Sequence, residues 1–406
     1  MRHTLALFRD ALRNPKYFFP LILFFFIIIP SSLKSHIHWE IFYSSTRALF
    51  EGHQIYGILR PQENGQTLWL YSPSAAYFFF SLFAWMPKGL GLFFYLSSSL
   101  GIFLWGLQRF AKSFQIEAIL HSWLFWVLAC GEIIGSLQAA KVELISTGFL
   151  MIALSACASR SSLLLGSLAL TLLVSLKFQG LPLLGLLCIV ALQDSFVRRM
   201  TATALLGTAI YTLAGFALLH DAQQTRILWI ESMQWMLERI WSTYQSFPAL
   251  LKQYFAWPQD LNSAQHLVIF GALFFAGLLA RRVLKNKATP KLLCANTALL
   301  SVAYIVLFSL ASQSSGYVFW TPCLLLWFHL SQVSKNLASW PALTGLGCWA
   351  CVSLFGSSLV PDLIVSLSRS YQLKTVGASV FFVLVYVLLN RKRDGSFHTA
   401  KGPNLV

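Results

Sequence analysis

Apolar runs separated by short polar breaks recur along the whole chain, and thirteen can be marked: roughly 17–33, 72–87, 89–107, 117–137, 142–158, 163–176, 179–193, 202–220, 265–280, 293–311, 317–333, 340–360 and 375–390. Most reach the ~17–25 residues a helix needs to cross a bilayer. The pattern predicts an all-α integral membrane protein, a polytopic bundle with residues 1–406 as one membrane domain. Two stretches interrupt it. Residues 36–87 carry an amphipathic helix pattern from His38-Trp39-Glu40-Ile41-Phe42-Tyr43 to Gly52, a Gln54-Ile55-Tyr56 exit and an aromatic-proline entry, Leu70-Tyr71-Ser72-Pro73. Residues 221–264 place Ile227, Trp229, Ile230, Met233, Met236, Leu237, Ile240 and Trp241 close to helical spacing, with Arg226, Glu231, Glu238 and Arg239 between them. Both stretches read as amphipathic helices on a membrane face. The polar tail, 394–406, is predicted to be disordered and cytoplasmic.

Composition closes off other classes. Only 11% of the 406 residues are charged and 57% are hydrophobic, against about 25% charged in soluble domains; the mean hydropathy is +0.65. The net charge of +16 does not indicate nucleic acid, because the basic residues cluster at the ends of apolar runs, where they write topology. The aromatic residues flank many of those runs, as interfacial anchors do. All seven cysteines lie inside apolar runs, so neither a disulfide nor a metal site is expected, and no cofactor. The Cys348/Cys351 spacing places two small soft residues on one helix face. The basic N-terminal stretch lacks a clear small-residue cleavage site, which predicts a retained first span.

The basic clusters mark cytoplasmic ends: Arg2 to Lys16, Arg109/Lys112, Arg160, Arg198/Arg199, Arg281 to Lys291, Lys335, and Arg391 to Lys401. Both termini are then inside, which demands an even number of spans. The short 72–87 run, bounded by Ser72-Pro73 and Met86-Pro87-Lys88, is the best candidate for a segment that does not cross. About twelve spans follow, in a cell (inner) membrane. One outer face then gathers His38, Glu40 and Arg47; Gln138, Lys141 and Glu143; Lys177 and Gln179; residues 221–264; and Ser312 to Tyr317.

In order, these features resemble the GT-C superfamily of membrane glycosyltransferases, and most of all glycosyltransferase family 87, the polyprenyl-phosphate-mannose-dependent mannosyltransferases and their relatives. Trp39 to Tyr43, followed by Arg47-Ala48-Leu49, Gly52 and Tyr56, is similar to that family's first-loop pattern. Leu70-Tyr71-Ser72-Pro73 is similar to its aromatic-proline entry, and Gln138 to Glu143 lies where a polar stretch precedes a span. Lys177-Phe178-Gln179-Gly180-Leu181-Pro182 resembles its lysine-proline helix break, Gln245 to Leu250 its outer-loop motif, and Ser312 to Tyr317 before Pro322 a serine-rich entry to a late span. The resemblance covers about residues 15–335. It implies a GT-C bundle that transfers a hexose, mannose first among them, from a polyprenyl-phosphate sugar to a lipid-linked or glycan acceptor on the extracytoplasmic face, with inversion at the anomeric carbon.

One departure matters. The family's first-loop Asp is matched by His38, and residues 18–193 contain no Asp. Either Glu40 or His38 is the catalytic base, or the chemistry has been lost. A base titrating near the operating pH serves best. Cations stabilise charge on the departing phosphate, which assigns the donor phosphate to Lys177 first, then Arg47, then Lys141. Tyr43, Tyr56, Tyr71, Gln138, Glu143, Gln179, Gln245 and Tyr317 complete the expected substrate groove. Each has a plainer reading beside it: an interfacial His38, a Glu40–Arg47 pair on one helix face, a snorkelling Lys177, a span-end Lys141–Glu143 pair, and a Pro73 that simply opens a helix. Two other functions stay open, a catalytically silent binding or assembly subunit and a transporter or flippase of lipid-linked sugars. A transporter should show matching broken helices in both halves, whereas one clear break is visible, at 177–182.

Overall fold

Each apolar run becomes a helix, and the proline and acidic signals between them fix where helices begin. The computed structural model describes residues 13–34, 36–53, 55–56, 60–62, 65–67, 71–176, 180–219, 221–240, 246–284, 289–308, 314–333, 336–354, 366–368 and 370–391. The helices are α1 Pro15–Ser32, α2 Ile37–Phe50, α3 Ala75–Ala84, α4 Lys88–Phe114, α5 Trp123–Gln138, α6 Glu143–Ser159, α7 Leu163–Leu176, α8 Leu181–Ala191 and α9 Ser195–Ala217. They continue as α10 Ala222–Ile240, α11 Phe247–Phe255, α12 Leu261–Leu284, α13 Pro290–Phe308, α14 Tyr317–Ser331, α15 Trp340–Leu354 and α16 Leu373–Arg391. Prolines open α1, α8, α11 and α15 in their first turn, where a missing N–H costs nothing. Asn14 and Asp194 cap α1 and α9: the Asp194 carboxylate accepts from the Phe196 and Val197 amides at 2.9 and 3.1 Å.

Among the described residues, six helices, α1, α4, α9, α12, α13 and α16, are long and apolar enough to cross a membrane, and seven further apolar helices of 10–17 residues accompany them. The protein is thus a helical, multi-pass membrane protein. The expected all-α membrane class holds, with one small addition: Arg60–Gln62 and Gly65–Thr67 form a two-stranded antiparallel hairpin in the first loop. Its register pairs Gln62 with Gly65, leaving a two-residue connection, the length most common in hairpins. The 221–264 stretch holds α10 and then a second helix, α11. The 394–406 tail lies outside the described residues.

The bundle's centre is α6, α13 and α14, nearly every residue of which is buried. α4 lies against α6 through facing glycines: a Cβ on Gly106 would come 2.5 Å from the Gly148 carbonyl oxygen, and one on Gly148 would come 2.8 Å from Ile102. Small residues let helix backbones approach this closely in a membrane. Ser113 and Ser155 meet at 2.8 Å near the C-terminal ends of the same two helices, so α4 and α6 run parallel. Likewise α7 and α9 run parallel, the Ser167 hydroxyl donating to the Met200 carbonyl and Thr171 to Ala204, at 3.1 and 3.2 Å.

Two ends of the bundle are thereby distinguished. At one, the basic end, Asn14 meets His121 at 3.1 Å and Arg160 pairs with Asp194 at 2.7 Å. At the other, α3 is held at both its ends. The Ser72 hydroxyl donates to the Ser175 carbonyl at the end of α7, at 3.3 Å. After α3, a Cβ on Gly89 would lie 3.3 Å from the carbonyl of Ser32, the end of α1.

Candidate functional site

At this second end of the bundle α2 presents two faces. Trp39, Phe42, Ser45, Thr46 and Leu49 are buried, and they recur at the three- and four-residue steps of one helix stripe. Trp39 stacks on Tyr95 with centroids 5.6 Å apart, and Phe42 stacks on Phe80 at 4.3 Å and meets Tyr71 edge-on at 5.2 Å. The other face carries Glu40, Tyr43 and Arg47. Glu40 forms an ion pair with Lys88. The Tyr43 hydroxyl donates to the Met86 carbonyl at 3.3 Å and accepts from Arg47 at 2.9 Å. The Trp39 indole donates to the Lys88 carbonyl at 3.1 Å. This face is thus laid along the 86–88 turn that opens α4. Arg47 is exposed, and Glu40 and His38 are partly so.

Behind the buried face lies a second group. Tyr56 is buried, and its hydroxyl donates to the Tyr71 carbonyl at 2.5 Å. Ser74 and Tyr211 exchange hydrogen bonds with each other's backbone, at 2.6 and 2.9 Å, pinning the start of α3 to α9. Glu143, in the first turn of α6, is only 3% exposed. Its carboxylate is within electrostatic reach of the Tyr71 and Tyr95 hydroxyls. Burial first, and that carboxylate second, push the Tyr71 phenol well above its ordinary value. Hydroxyls of Ser45, Thr46, Ser146 and Ser175 are buried here without a hydrogen-bond partner.

Of the residues expected from the sequence, Tyr56, Tyr71 and Glu143 come together. Glu40, Tyr43 and Arg47 share a face but turn toward the 86–88 turn, and Gln138 is exposed at the end of α5. Lys141 is partly buried, two residues before Glu143. Lys177, Gln179 and Gln245 lie outside the described residues. Tyr317 is fully buried in another group: Lys374 sits 4.7 Å from its ring centroid and pairs with Glu132 at 3.1 Å, both ions about 5% exposed.

Lys88, Glu132 and Lys374 were not anticipated. Glu132 did carry a signal, since an acidic residue inside an apolar run marks a functional or paired position. Lys88 and Lys374 each stand at the start of a span, where a lysine reads as an anchor.

A cavity of about 450 Å³ opens beside the start of α8, lined by Leu181, Pro182, Gly185, Phe275, Ala276 and Tyr304 among others. A Cβ on Gly185 would meet nothing within 4 Å. The rings of Phe247, Phe275, Tyr304 and Phe308 pack above it, 5.3–6.3 Å apart. Its walls are apolar, as ligand sites for lipids and other apolar molecules are.

Comparison with curated proteins finds no match. The family model for glycosyltransferase family 87 matches residues 69–309, a stretch that contains α3 to α13, Tyr71, Glu143 and the interruption before α8, and excludes α2. With more than half of the chain matched, the protein belongs to glycosyltransferase family 87.

Proposed function

We propose that this membrane glycosyltransferase moves a hexose, mannose first among the candidates, from a polyprenyl-phosphate sugar to a lipid-linked or glycan acceptor on the extracytoplasmic face. The observation that carries the reading is the gathering of α2, Tyr56, Tyr71 and Glu143 at one end of the bundle, beside an interrupted helix pair and an apolar cavity. A lipid-linked donor needs this combination: a polar place for sugar and phosphate, next to an apolar place for the chain. Lys177, with Arg47 and Lys141 as further cations, would hold the donor phosphate. The ionisable groups that could serve as base are Glu40, His38 and Glu143.

Topology follows from the pairing of helix ends. If α3 starts and finishes at the same end, it does not cross, and the remaining twelve apolar helices bring both termini to the basic end, placed in the cytoplasm by its charges. Residues 36–87 and 221–264 are then extracytoplasmic, and the protein sits in the cell (inner) membrane. A cysteine introduced at position 112 should resist labelling from outside intact cells; efficient labelling would overturn this arrangement.

The Glu40–Lys88 pair favours a second reading, a catalytically silent subunit, because it neutralises one of the expected bases. Transfer of radiolabelled mannose from polyprenyl-phosphate-mannose to membrane lipid acceptors, with the full chain in nanodiscs, separates the two. Labelled product supports the enzyme, and silence with a panel of polyprenyl-phosphate sugars supports the subunit.

A further inference from the structure

Small residues have opposite effects at two places in this bundle. Between α4 and α6 they close the helices up, so that a Cβ on Gly106 would lie 2.5 Å from the Gly148 carbonyl oxygen. Between α8 and α12 they border a gap. Gly185 on α8, with Ala272 and Ala276 one turn apart on α12, lines the cavity of about 450 Å³, and a Cβ on Gly185 would meet nothing within 4 Å. Small residues ordinarily let membrane helices approach each other; here they leave a width that the protein does not fill.

The gap opens sideways. Leu181 on its α8 wall is 47% exposed and Leu273 on its α12 wall 67%, and Gly185 is exposed as well; in a membrane-embedded bundle these positions meet lipid. α8 runs from the end where Ser72 meets Ser175 toward Asp194 at the basic end. Leu181 and Pro182 therefore stand at the rim nearest the first of these ends, and Gly185 lies one turn deeper. Tyr304 brings the one polar side chain among the lining residues, and its hydroxyl already donates to the Val268 carbonyl at 3.3 Å.

We propose that this slot seats the isoprenoid chain of a polyprenyl phosphate, entering from the bilayer between α8 and α12, and that it selects this branched chain over the straight acyl chains of phospholipids. The assignment rests on the lipid-phosphate-sugar reading above. An isoprenoid bears regularly spaced methyl branches, so it needs a wider slot than a linear chain. The absent side chain at Gly185 and the short ones at Ala272 and Ala276 supply that width. Its double bonds leave fewer rotatable torsions per carbon, so holding it against a wall forfeits less conformational freedom than holding an acyl chain. The rings of Phe275 and Tyr304, edge-on with centroids 6.3 Å apart, offer apolar surfaces to those methyls. A phosphate left at the rim stays at the end of the bundle where α2, Tyr56 and Tyr71 gather, while the chain descends toward the midplane.

The test reads binding rather than transfer. The full chain in phosphatidylglycerol nanodiscs is irradiated with a polyprenyl phosphate carrying a diazirine near its phosphate, and in parallel with a phosphatidylglycerol carrying the diazirine in an acyl chain. Labelled peptides are mapped by mass spectrometry. The polyprenyl probe should mark residues 181–186 and 272–276, and unlabelled polyprenyl phosphate should suppress the marking while added phospholipid does not. Gly185→Leu, and Ala276→Leu in the α12 wall, should each weaken this saturable marking about tenfold, the effect of roughly two methylenes. Gly101→Leu, whose side chain begins in open space on α4, should leave it unchanged. If Gly185→Leu does not accumulate, Ala276→Leu decides. Equal marking by the acyl probe, with mutual competition, overturns the selectivity. Polyprenyl marking that is undiminished in the cavity variants, or spread evenly around the bundle, overturns the site, as does an active transferase with no marking there. Failure of the donor reading looks different: saturable marking at the cavity of a wild type that transfers from no polyprenyl-phosphate sugar upholds the chain site and removes the glycosyl donor.

Discussion

The Glu132–Lys374 pair lets electrostatics inside this bundle be measured without reference to activity. The two ions lie 3.1 Å apart, each about 5% exposed, and the Lys374 ammonium also stands 4.7 Å from the Tyr317 ring centroid. Removing one partner of a buried ion pair costs about 3–5 kcal/mol, because the other charge stays buried without it. Glu132→Met should fall in that range, because the ammonium keeps its aromatic contact. Lys374→Met should cost more, since it strands the carboxylate and also loses a desolvated cation–π contact worth about 2 kcal/mol. The double variant Glu132→Met/Lys374→Met removes both charges together. Replacing a buried pair by apolar residues is close to neutral, so its loss should be about 2 kcal/mol, the cation–π contact alone. The sum of the single losses should exceed the double loss by roughly 4 kcal/mol or more. The assay is equilibrium denaturation of the four proteins in one detergent, followed by tryptophan fluorescence and by retention of the monodisperse peak. Single losses below about 1 kcal/mol, or a double loss equal to their sum, would refute the claim that these ions compensate each other in a water-poor interior.

Other expectations follow from packing and capping. Gly106→Ala should destabilise by about 1–3 kcal/mol because the methyl meets the backbone of α6, whereas Gly101→Ala on the same helix meets nothing within 4 Å and should be neutral or stabilising; thermal melts of both check this. Arg160→Ala should cost no more than about 1 kcal/mol, as expected of a half-exposed cation in an ion pair. Asp194→Ala, in the same melts, should cost about 0.5–2 kcal/mol more because the cap of α9 goes too. Gly185 lines the apolar cavity and a Cβ there meets nothing within 4 Å, so Gly185→Leu should occupy part of it. It should raise KM for a long-chain donor about tenfold, the worth of roughly two methylenes at ~0.8 kcal/mol each, while a short-chain donor analogue is unaffected.

The helices were legible because each is an apolar run closed by proline, glycine or charge; the thirteen runs and the observed apolar helices differ mostly by a few residues at their ends. The hairpin at 60–67 was missed because six residues in a polar loop leave no periodicity to read. The site was legible only in part, and for a geometric reason. Sequence spacing places Glu40 and Arg47 on one face of α2 but does not reveal which face turns inward, since Trp39 and Phe42 occupy the inward stripe. Glu143 was expected in the substrate groove, with a span-end charge pair to Lys141 as its plainer reading. That the chain brings Tyr71 and Tyr95 within electrostatic reach of it depends on Ser72 reaching Ser175 and Trp39 reaching Tyr95, contacts between residues 56 to 103 positions apart. Lys88 and Lys374 were not singled out because nothing local shows that an acidic partner waits 48 residues upstream or 242 residues upstream.

The shortness of α7 and α8 has a consequence for the membrane itself. At ~1.5 Å per residue the 14 residues of α7 reach about 21 Å and the 11 residues of α8 about 16 Å, while the hydrocarbon layer is ~30 Å thick. If each crosses, as in the arrangement proposed above, the bilayer beside this pair either pinches inward or lets water down to the ends of these helices. In both cases the surface where lipid phosphates float is lowered toward the middle of the membrane on that flank. A carrier lipid arriving there already has its head at the depth where the helices part, and need not climb out of the membrane to be used. Thin membranes should favour the protein's activity, and thick, sterol-like ones should starve it of substrate.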